Sequence, residues 1–327
     1  MRRLPVILGV LFLILALVLT GGGFWVYAQF KQPGPFDNPS QIIITSGSSI
    51  SVIARDLKSA GLIDEPLIFR LATRYTHIDK GLQAGEFAIP ARSSIFEILD
   101  ILRFGKTIIH RLTIAEGLSV SEVIKRLNNT PGLSGNIDVL PAEGSLLPET
   151  YHFSFGDNRT QMIDRMKSAM TRTLSDLWQK RAPGLVLQTP QEALILASMV
   201  EKETGQSGER GRVAAVFLNR LTKGMRLQSD PTVSYGLTLG NHPLGRGLTR
   251  ADLKKPTPYN TYTIKKLPPT PITNPGQAAI KAVLNPPETD EFYFVANGKG
   301  GHMFAKTLKQ HNRNVRKWRQ IEKSLSK

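Results

Sequence analysis

The longest hydrophobic stretch of the chain lies at its N-terminus, where no charged residue occurs from Leu4 to Phe30. A helix rises about 1.5 Å per residue, so about 20 residues cross the ~30 Å hydrocarbon core of a bilayer. Trp25 and Tyr27 stand near the end of the stretch, and such amphipathic rings favour the membrane–water interface. The pattern predicts one transmembrane helix, because no second apolar run in the sequence reaches about 18 residues.

The charges that flank this stretch predict its orientation. Arg2 and Arg3 precede it, and only Lys31 follows closely. The positive-inside rule then places the N-terminus in the cytoplasm and the rest of the chain outside the inner membrane, on the periplasmic side. The alternative is a cleaved signal peptide with its site at 26–28. The usual apolar region of a signal peptide has only about 7–15 residues, which favours a retained anchor.

A second pattern recurs three times between residues 41 and 130. In each copy a short strand-like run is followed by a serine and then by apolar residues at helical spacing. Serine is a favoured N-cap, and the spacing predicts helices with one apolar face. The strand-like runs are 41–44, 86–89 and 108–114, and the serines are Ser49, Ser94 and Ser119. We expect repeated strand–helix units, although Ser-capped helices are common enough for the match to arise by chance.

The clearest helix signal starts at Thr189. Thr189 is a good N-cap, Pro190 suits the first helical position, and Glu192 completes a capping box. Gly205 is a natural stop, so the predicted helix ends near Thr204.

This predicted helix carries two glutamates near its C-terminal end. At 100° per residue, Glu203 falls on the apolar face with Met199 and Val200, whereas Glu201 falls on the opposite side, where it would stay ionised beside a basic neighbour. Burial disfavours the charged carboxylate and raises its pKa, so Glu203 would suit general-acid catalysis on a glycosidic oxygen. The alternative is that solvent reaches the helix end and leaves Glu203 an ordinary carboxylate.

Two further segments carry side chains that suit sugar recognition. Hydrogen-bonding groups cluster in the first, and aromatic rings with an amide occur in the second, which is shaped by prolines. The candidate substrate-binding residues are Gln228, Ser229, Asp230, Tyr259, Asn260 and Tyr262. The alternatives are a plain turn at Asp230-Pro231 and an ordinary surface loop at 256–262.

Composition excludes several classes of chemistry. The chain has no cysteine, so disulfides, thiolate catalysis and cysteine-based zinc sites are excluded. Neither an H-E-x-x-H nor a G-x-S-x-G motif occurs, and the sequence predicts no metal site, no cofactor and no serine-hydrolase site. The net charge of +16 favours a polyanionic partner. Outside the cytoplasm this partner would be anionic lipid or cell wall rather than nucleic acid, unless the charge serves solubility alone.

Longer motifs then point to a family. They are Val200–Thr204, Glu209-Arg210, Val213–Leu221, Gly224–Val233 and Tyr259–Tyr262. With them, and with looser matches around 113–117 and 147–151, the sequence resembles the membrane-bound endolytic murein (peptidoglycan) transglycosylases, the MltG or YceG-like family. The resemblance extends from the anchor to about His311.

The resemblance implies a function for Glu203, which matches the second glutamate of the family's Glu-Lys-Glu motif and would be the catalytic acid. The family is a class of lyase that cleaves the β-1,4 bond between N-acetylmuramic acid and N-acetylglucosamine in nascent strands. Its product carries a 1,6-anhydro ring, and cleavage near the membrane limits strand length. The resemblance also implies a LysM-like module and peptidoglycan synthases as partners.

We therefore expect an α+β chain with four parts. They are a cytoplasmic tip and anchor at 1–30, a linker at 31–40, a small LysM-like strand–helix module at 41–110 and a larger mixed α/β YceG-like catalytic domain at 111–327. Two other functions remain open: a non-catalytic peptidoglycan-binding tether or regulator of wall synthases, and a scaffold that binds anionic lipid.

Overall fold

A computed structural model describes residues 3–78 and 81–325, so Arg2 of the predicted cytoplasmic tip lies outside the described residues. The described chain is mixed α/β, as predicted. Its helices are α1 (Arg3–Lys31), α2 (Ile50–Ser59), α3 (Pro66–Tyr75), α4 (Ile95–Phe104), α5 (Val120–Asn128), α6 (Arg159–Gln179), α7 (Pro190–Glu203), α8 (Arg210–Thr222), α9 (Asp230–Thr238), α10 (Arg250–Lys254), α11 (Gln277–Leu284) and α12 (Leu308–Leu325). Its strands are β1 (Ser40–Ile44), β2 (Gly85–Ile89), β3 (Ile109–Thr113), β4 (Thr150–Ser154), β5 (Tyr293–Ala296) and β6 (His302–Ala305).

The strands form three small sheets of two strands each, β1–β2, β3–β4 and β5–β6. The chain divides into two compact units: residues 1–110 with 152–157, and residues 111–151 with 158–327. The functional division into anchor, linker, LysM-like module and catalytic domain remains a prediction.

The predicted Ser-capped helices are confirmed. The helices α2, α4 and α5 begin directly after Ser49, Ser94 and Ser119, and each serine side chain accepts a hydrogen bond from a backbone N–H of the first turn. Each helix follows a strand at the predicted place, β1, β2 or β3. One helix between them, α3, was not predicted. The identity of this region with a LysM fold stays a prediction.

In the first unit, the antiparallel pair β1–β2 packs with α2, α3 and α4 around one apolar core. Leu57, Phe69, Phe87 and Ile98 are fully buried there. Alternate residues of β1 face this core, because successive strand side chains point to opposite faces.

The predicted apolar helix at the N-terminus is confirmed as α1. Its segment Ile7–Lys31 is long and apolar enough to cross a membrane, and a signal sequence near an N-terminus can share this length and composition. The last turn of α1 belongs to the core of the first unit, where Phe30 is only 2% exposed and its ring lies 5.3 Å from that of Phe96. The apolar helix therefore emerges directly from a packed core.

The segment predicted as a linker, 31–40, also packs on this unit. Gly34 N–H donates to the carbonyl of Arg92, and Arg92 N–H donates to the carbonyl of Phe36. Arg92 pairs with Asp37 at 2.7 Å. These contacts fix the segment on the first unit, so it is a short ordered connection and not a flexible spacer.

In the second unit, α7 lies at the centre and packs against α6, α8, α9 and α11. Its predicted start is confirmed: Thr189 Oγ1 accepts a hydrogen bond from Glu192 N–H at 3.1 Å, and Pro190 is the first helical residue. The predicted capping box is not formed, because Glu192 Oε2 accepts its hydrogen bond from Gln188 N–H, one residue before the cap. The helix ends at Glu203, so its C-terminal turn delivers both glutamates of the motif to one region.

Candidate active site

The surroundings of α7 differ from the prediction of a single apolar face. Every residue from Ala193 to Val200 is at most 5% exposed, because neighbouring helices pack around the whole helix. The side of α7 opposite the predicted apolar face is therefore also buried, and the Glu201 side chain on it is only 4% exposed.

Glu203 forms one short hydrogen bond and keeps partial exposure. Ser229 Oγ donates to Glu203 Oε1 at 2.5 Å. Burial raises the pKa of Glu203 to about 7, helped by the nearby charge of Asp230, while the Ser229 hydrogen bond and the charge of Arg220 pull the other way. A carboxyl with this pKa is about half protonated near neutral pH, which is the state that general-acid catalysis requires.

Two threonines that the sequence analysis did not single out hold Ser229 in place. Ser229, at 1% exposure, donates its N–H to Thr261 Oγ1 at 2.9 Å. Thr232 Oγ1 donates to the Ser229 carbonyl at 2.7 Å and lies 2.8 Å from Thr261 Oγ1. Both threonines lie within motifs of the family resemblance, Gly224–Val233 and Tyr259–Tyr262, and could have been identified from them.

A buried arginine lies behind the same loop. Arg220 is 7% exposed and donates to the carbonyls of Phe292 and Leu227 at 2.6 and 2.8 Å and to Gln228 Oε1 at 3.3 Å. Burial lowers the pKa of Arg220. Its position three residues after Phe217, on the inward face of α8, could have identified it from the sequence.

Gln228 and Asp230 flank Ser229, and both are exposed. Gln228 has a φ of 54°, an unusual left-handed backbone for a residue other than glycine. Tyr262 O–H donates to Asp230 Oδ1 at 2.6 Å, and burial raises the pKa of Tyr262. The structure thus brings Ser229, Asp230 and Tyr262 close to Glu203, while the Gln228 side chain meets Arg220.

The other two predicted residues lie differently. Tyr259 O–H lies 2.8 Å from Thr270 Oγ1, and its ring centroid lies 4.9 Å from that of Tyr235. Asn260 is fully buried. Its amide nitrogen lies within hydrogen-bond distance of three main-chain carbonyls, those of Asp252, Leu253 and Lys255. In this structure Asn260 fixes the shape of its loop and shows no surface to a ligand.

A cleft of about 420 Å³ borders the site. Asp230 and Lys202 stand in its wall, next in sequence to Ser229 and Glu203, and Tyr235 and the 240–246 loop continue it. Glu203 itself is not among its lining residues. A volume of this size lies within the usual range of small-ligand pockets, about 300–1,000 Å³.

A second buried carboxylate, Glu201, meets an arginine. Arg210 donates to Glu201 Oε1 at 3.1 Å and to Glu116 Oε2 at 2.9 Å, and Gly276 N–H donates to Glu201 Oε2 at 2.9 Å. The predicted basic neighbour of Glu201 is therefore confirmed. Burial still raises the pKa of Glu201, and the charge of Glu116 adds to this, against the hydrogen bonds and the charge of Arg210.

Glu143 is a further acid that the sequence analysis missed. Burial raises its pKa to about 7, although Val120 N–H donates to its Oε1 at 2.9 Å. Tyr235 O–H donates to Glu143 Oε2 at 3.4 Å. Within the described residues, no three histidine, cysteine or carboxylate side chains lie together as metal ligands. The expectation of no cofactor stays a prediction.

Comparison with known proteins agrees with the resemblance found in the motifs. The model of the YceG-like family matches residues 42–317. An endolytic murein transglycosylase of Bacillus subtilis is 32% identical over 92% of this chain and 91% of its own length. An endolytic murein transglycosylase of Streptococcus pneumoniae is 28% identical over 93% of this chain, which spans only 64% of that longer protein. The crystal structure of a YceG-like protein from Listeria monocytogenes is 30% identical, with a TM-score of 0.52 over 85% of this chain and 99% of that one.

Proposed function

This chain belongs to the YceG-like family, and we propose that it is an endolytic peptidoglycan lytic transglycosylase with Glu203 as its catalytic acid. The observation that carries this proposal is the position of Glu203, which lies at the end of the buried helix α7, accepts a hydrogen bond from Ser229 and adjoins the cleft at Asp230. Burial there raises the pKa of Glu203, as a general acid requires. Two relatives that align with more than nine tenths of this chain are endolytic murein transglycosylases.

The proposed reaction uses one carboxyl twice. Protonated Glu203 donates its proton to the glycosidic oxygen between N-acetylmuramic acid and N-acetylglucosamine, and the bond from that oxygen to C1 breaks. The 6-hydroxyl of the same muramic acid attacks C1 and loses its proton to the Glu203 carboxylate. A 1,6-anhydro ring forms, no water is consumed, and the acid returns to its starting state.

This chemistry needs no second catalytic carboxylate, so the nearby Asp230 does not have to act as a nucleophile or base. Ordinary glycosidases pair an acid with a nucleophile or a base, and both must reach the scissile bond. Here the substrate supplies its own nucleophile, so the neighbour of Glu203 can be a neutral hydroxyl, Ser229. We propose that Ser229 is a positioning residue that orients the Glu203 carboxyl.

The remaining candidates divide into two groups. Asp230 and Tyr262 present polar atoms near Glu203 and Gln228 is exposed next to Ser229, and we propose that all three hold sugar hydroxyls. In this proposal Tyr259 and Asn260 support the site indirectly. Asn260 is fully buried and accepts a hydrogen bond from Tyr262 N–H, so it holds the loop that carries Tyr262.

The membrane part of the proposal rests on α1. We propose a single-pass inner-membrane protein with its N-terminus in the cytoplasm and its catalytic domain in the periplasm. The last turn of α1 packs into the first unit, which supports an enzyme held close to the membrane. Such an enzyme would cut nascent strands and limit their length, beside peptidoglycan synthases. The predicted LysM-like module at 41–110 would bind glycan or orient the catalytic domain.

The test measures the release of anhydro-muropeptides from purified glycan strands by the full chain and by Glu203→Gln. We expect the variant to lose about 100- to 10,000-fold in rate, because general-acid catalysis contributes about that much. Glu192→Gln, at the opposite end of α7, is the matched control and should keep its activity. Full activity in Glu203→Gln would refute the acid assignment. A wild-type chain that binds glycan without cutting it would instead support a non-catalytic tether.

A further inference from the structure

The helix α12 has two faces of different character. One face is half-buried and packs against β5 and β6. The opposite face is exposed and carries every basic residue of the helix: Lys309, Arg313, Arg316, Lys317, Arg319 and Lys323. At 100° per residue these six side chains fall within an arc of about 160°, centred opposite the packed face. We call these six residues the basic strip.

The strip is not neutralised by its surroundings. Among the described residues, no carboxylate forms an ion pair with any of its six members. Nearby cations do have partners: Lys306 pairs with Asp290 at 2.7 Å, and Arg212 pairs with Glu291. Glu322 is the only acidic residue of α12. The strip is therefore a row of exposed positive charge about 21 Å long, at about 1.5 Å per residue.

The strip suits adsorption to a charged surface rather than insertion into an apolar one. Helices that insert at an interface expose a large apolar face. In α12, Trp318 and Ile321 are turned inward and pack against Gly298, and Leu308 is the one large hydrophobic residue of the described helix that is well exposed. The interaction available to the strip is electrostatic attraction to closely spaced anions.

The N-terminal helix α1 indicates which anionic surface is available. Its apolar segment is long enough to cross a bilayer, so a chain anchored by it stays beside a lipid surface. Anchoring makes a second contact with that surface intramolecular, and weak attraction then suffices. Anionic leaflets attract clustered lysines and arginines in this way.

We propose that the basic strip of α12 docks on the anionic headgroups of the lipid bilayer in which the chain is anchored. The docking holds the second unit at the membrane surface by a contact independent of α1. Salt weakens it, because screening shortens the reach of exposed charges.

The test uses the full chain in vesicles of phosphatidylcholine, alone or mixed with phosphatidylglycerol. The chain has no cysteine, so Asn312→Cys provides a unique thiol on the exposed side of α12. A fluorophore there reports energy transfer to an acceptor on the lipid headgroups. We expect higher transfer in the anionic vesicles, and a return to the neutral level at high salt.

The charge variant is Arg313→Gln, Arg316→Gln and Arg319→Gln in one chain. Each basic residue near an anionic surface contributes about fivefold to binding, so the ratio of docked to undocked protein should fall on the order of 100-fold. The same three arginines changed to lysine should restore docking. The matched control removes three exposed charges from α6 and the residue that caps its C-terminus: Lys167→Gln, Arg172→Gln and Lys180→Gln.

Several results would overturn the proposal. They are equal transfer in neutral and anionic vesicles, unchanged transfer in the strip variant, and an equal loss in the α6 control. Binding of soluble poly-glutamate by the strip without any lipid effect would assign the strip to a soluble polyanion instead. Unchanged tryptophan emission in the strip variant, which reports on Trp318 behind the strip, shows that the helix is still packed.

Discussion

Two carboxylates leave the same last turn of α7 and meet different surroundings. Glu203 meets a neutral hydroxyl, Ser229, and partial solvent. Glu201 meets the guanidinium of Arg210, a second carboxylate from Glu116 and the N–H of Gly276. Burial raises the pKa of both. They differ in whether a fixed cation is in direct contact.

The difference assigns separate tasks to the two glutamates. A carboxyl beside a hydroxyl can give up and regain a proton without breaking an ion pair. A carboxylate bonded to a guanidinium is held in place, and losing its partner leaves a buried charge uncompensated. Glu201 therefore ties the end of α7 to α8, to the N-terminus of α11 and to the loop that carries Glu116, while Glu203 is left to titrate.

The largest effect should come from Arg210→Met, which removes the cation from the Glu201 region. We expect a loss of about 3 kcal/mol in the free energy of unfolding near neutral pH, because Glu201 stays buried without its partner. The loss should shrink as the pH falls, since protonated Glu201 no longer needs the cation. Thermal unfolding of the detergent-solubilised chain measures it, followed by tryptophan emission from Trp178 and Trp318 in the second unit.

Lys306→Met in the second unit is the control for an exposed ion pair. Lys306 pairs with Asp290 at 2.7 Å, and their side chains are 59% and 66% exposed, compared with 13% for Arg210 and 4% for Glu201. This variant should lose much less stability than Arg210→Met, because solvent screens an exposed pair. Equal losses in the two variants would mean that the Glu201 region is no more tightly coupled than the surface.

The second effect is the pH dependence that Glu203 gives to stability. Its folded pKa of about 7 lies above the usual value of 4.5 for a glutamate, so the folded chain holds more protons between these values. This contribution is complete below about pH 4.5 and is lost as the pH rises to about 7. We expect Glu203→Gln to gain on the order of 2 kcal/mol relative to the wild type between those limits.

The difference between the two unfolding curves isolates Glu203 from Glu143, which has a similarly raised pKa and titrates in both chains. Glu288→Gln removes an exposed carboxyl and should follow the wild-type curve. If the difference in unfolding free energy between Glu203→Gln and the wild type instead stays constant from pH 4.5 to 7, Glu203 titrates like a surface carboxylate and burial does not raise its pKa.

Local patterns predicted much of the fold. The Ser-capped helices after Ser49, Ser94 and Ser119 were found because cap and apolar face both lie within a few residues of sequence. The helix α3 was missed because its N-cap, Glu65, makes no side-chain hydrogen bond, and Pro66 at its first position is a weaker start signal without a cap beside it. Helix starts are readable where a capping side chain marks them.

Periodicity identified Glu203 as a candidate site residue, but the structure separates Glu203 from Glu201 for a different physical reason. Helical periodicity placed Glu203 among apolar residues and Glu201 on the opposite side, yet α7 is buried all round from Ala193 to Val200. What separates the two glutamates is a set of residues remote in sequence: Arg210 and Glu116 at one, Ser229 at the other. Periodicity along one helix carries no information about which distant side chains will meet it.

The smallest effect should come from Ser229→Ala, which removes the hydroxyl from the Glu203 carboxyl. The Ser229 hydrogen bond favours the charged carboxylate, so its loss raises the pKa of Glu203. Activity needs the protonated acid, and the basic limb of the pH–rate profile should move to higher pH by up to about one unit. The maximal rate should fall about tenfold, because the freed carboxyl is no longer oriented by a bond of about 1 kcal/mol.

Ser234→Ala in α9 is the matched control, because Ser234 also lines the cleft but is not bonded to Glu203. It should leave the pH–rate profile in place. A purely structural role for Ser229 would lower the rate at every pH without moving the basic limb. If the basic limb of the Ser229→Ala profile moves to lower pH instead, the Ser229 hydroxyl stabilises the protonated form of Glu203. Glu203 would then resemble Glu201, because a neighbouring side chain would hold each carboxyl in one charge state.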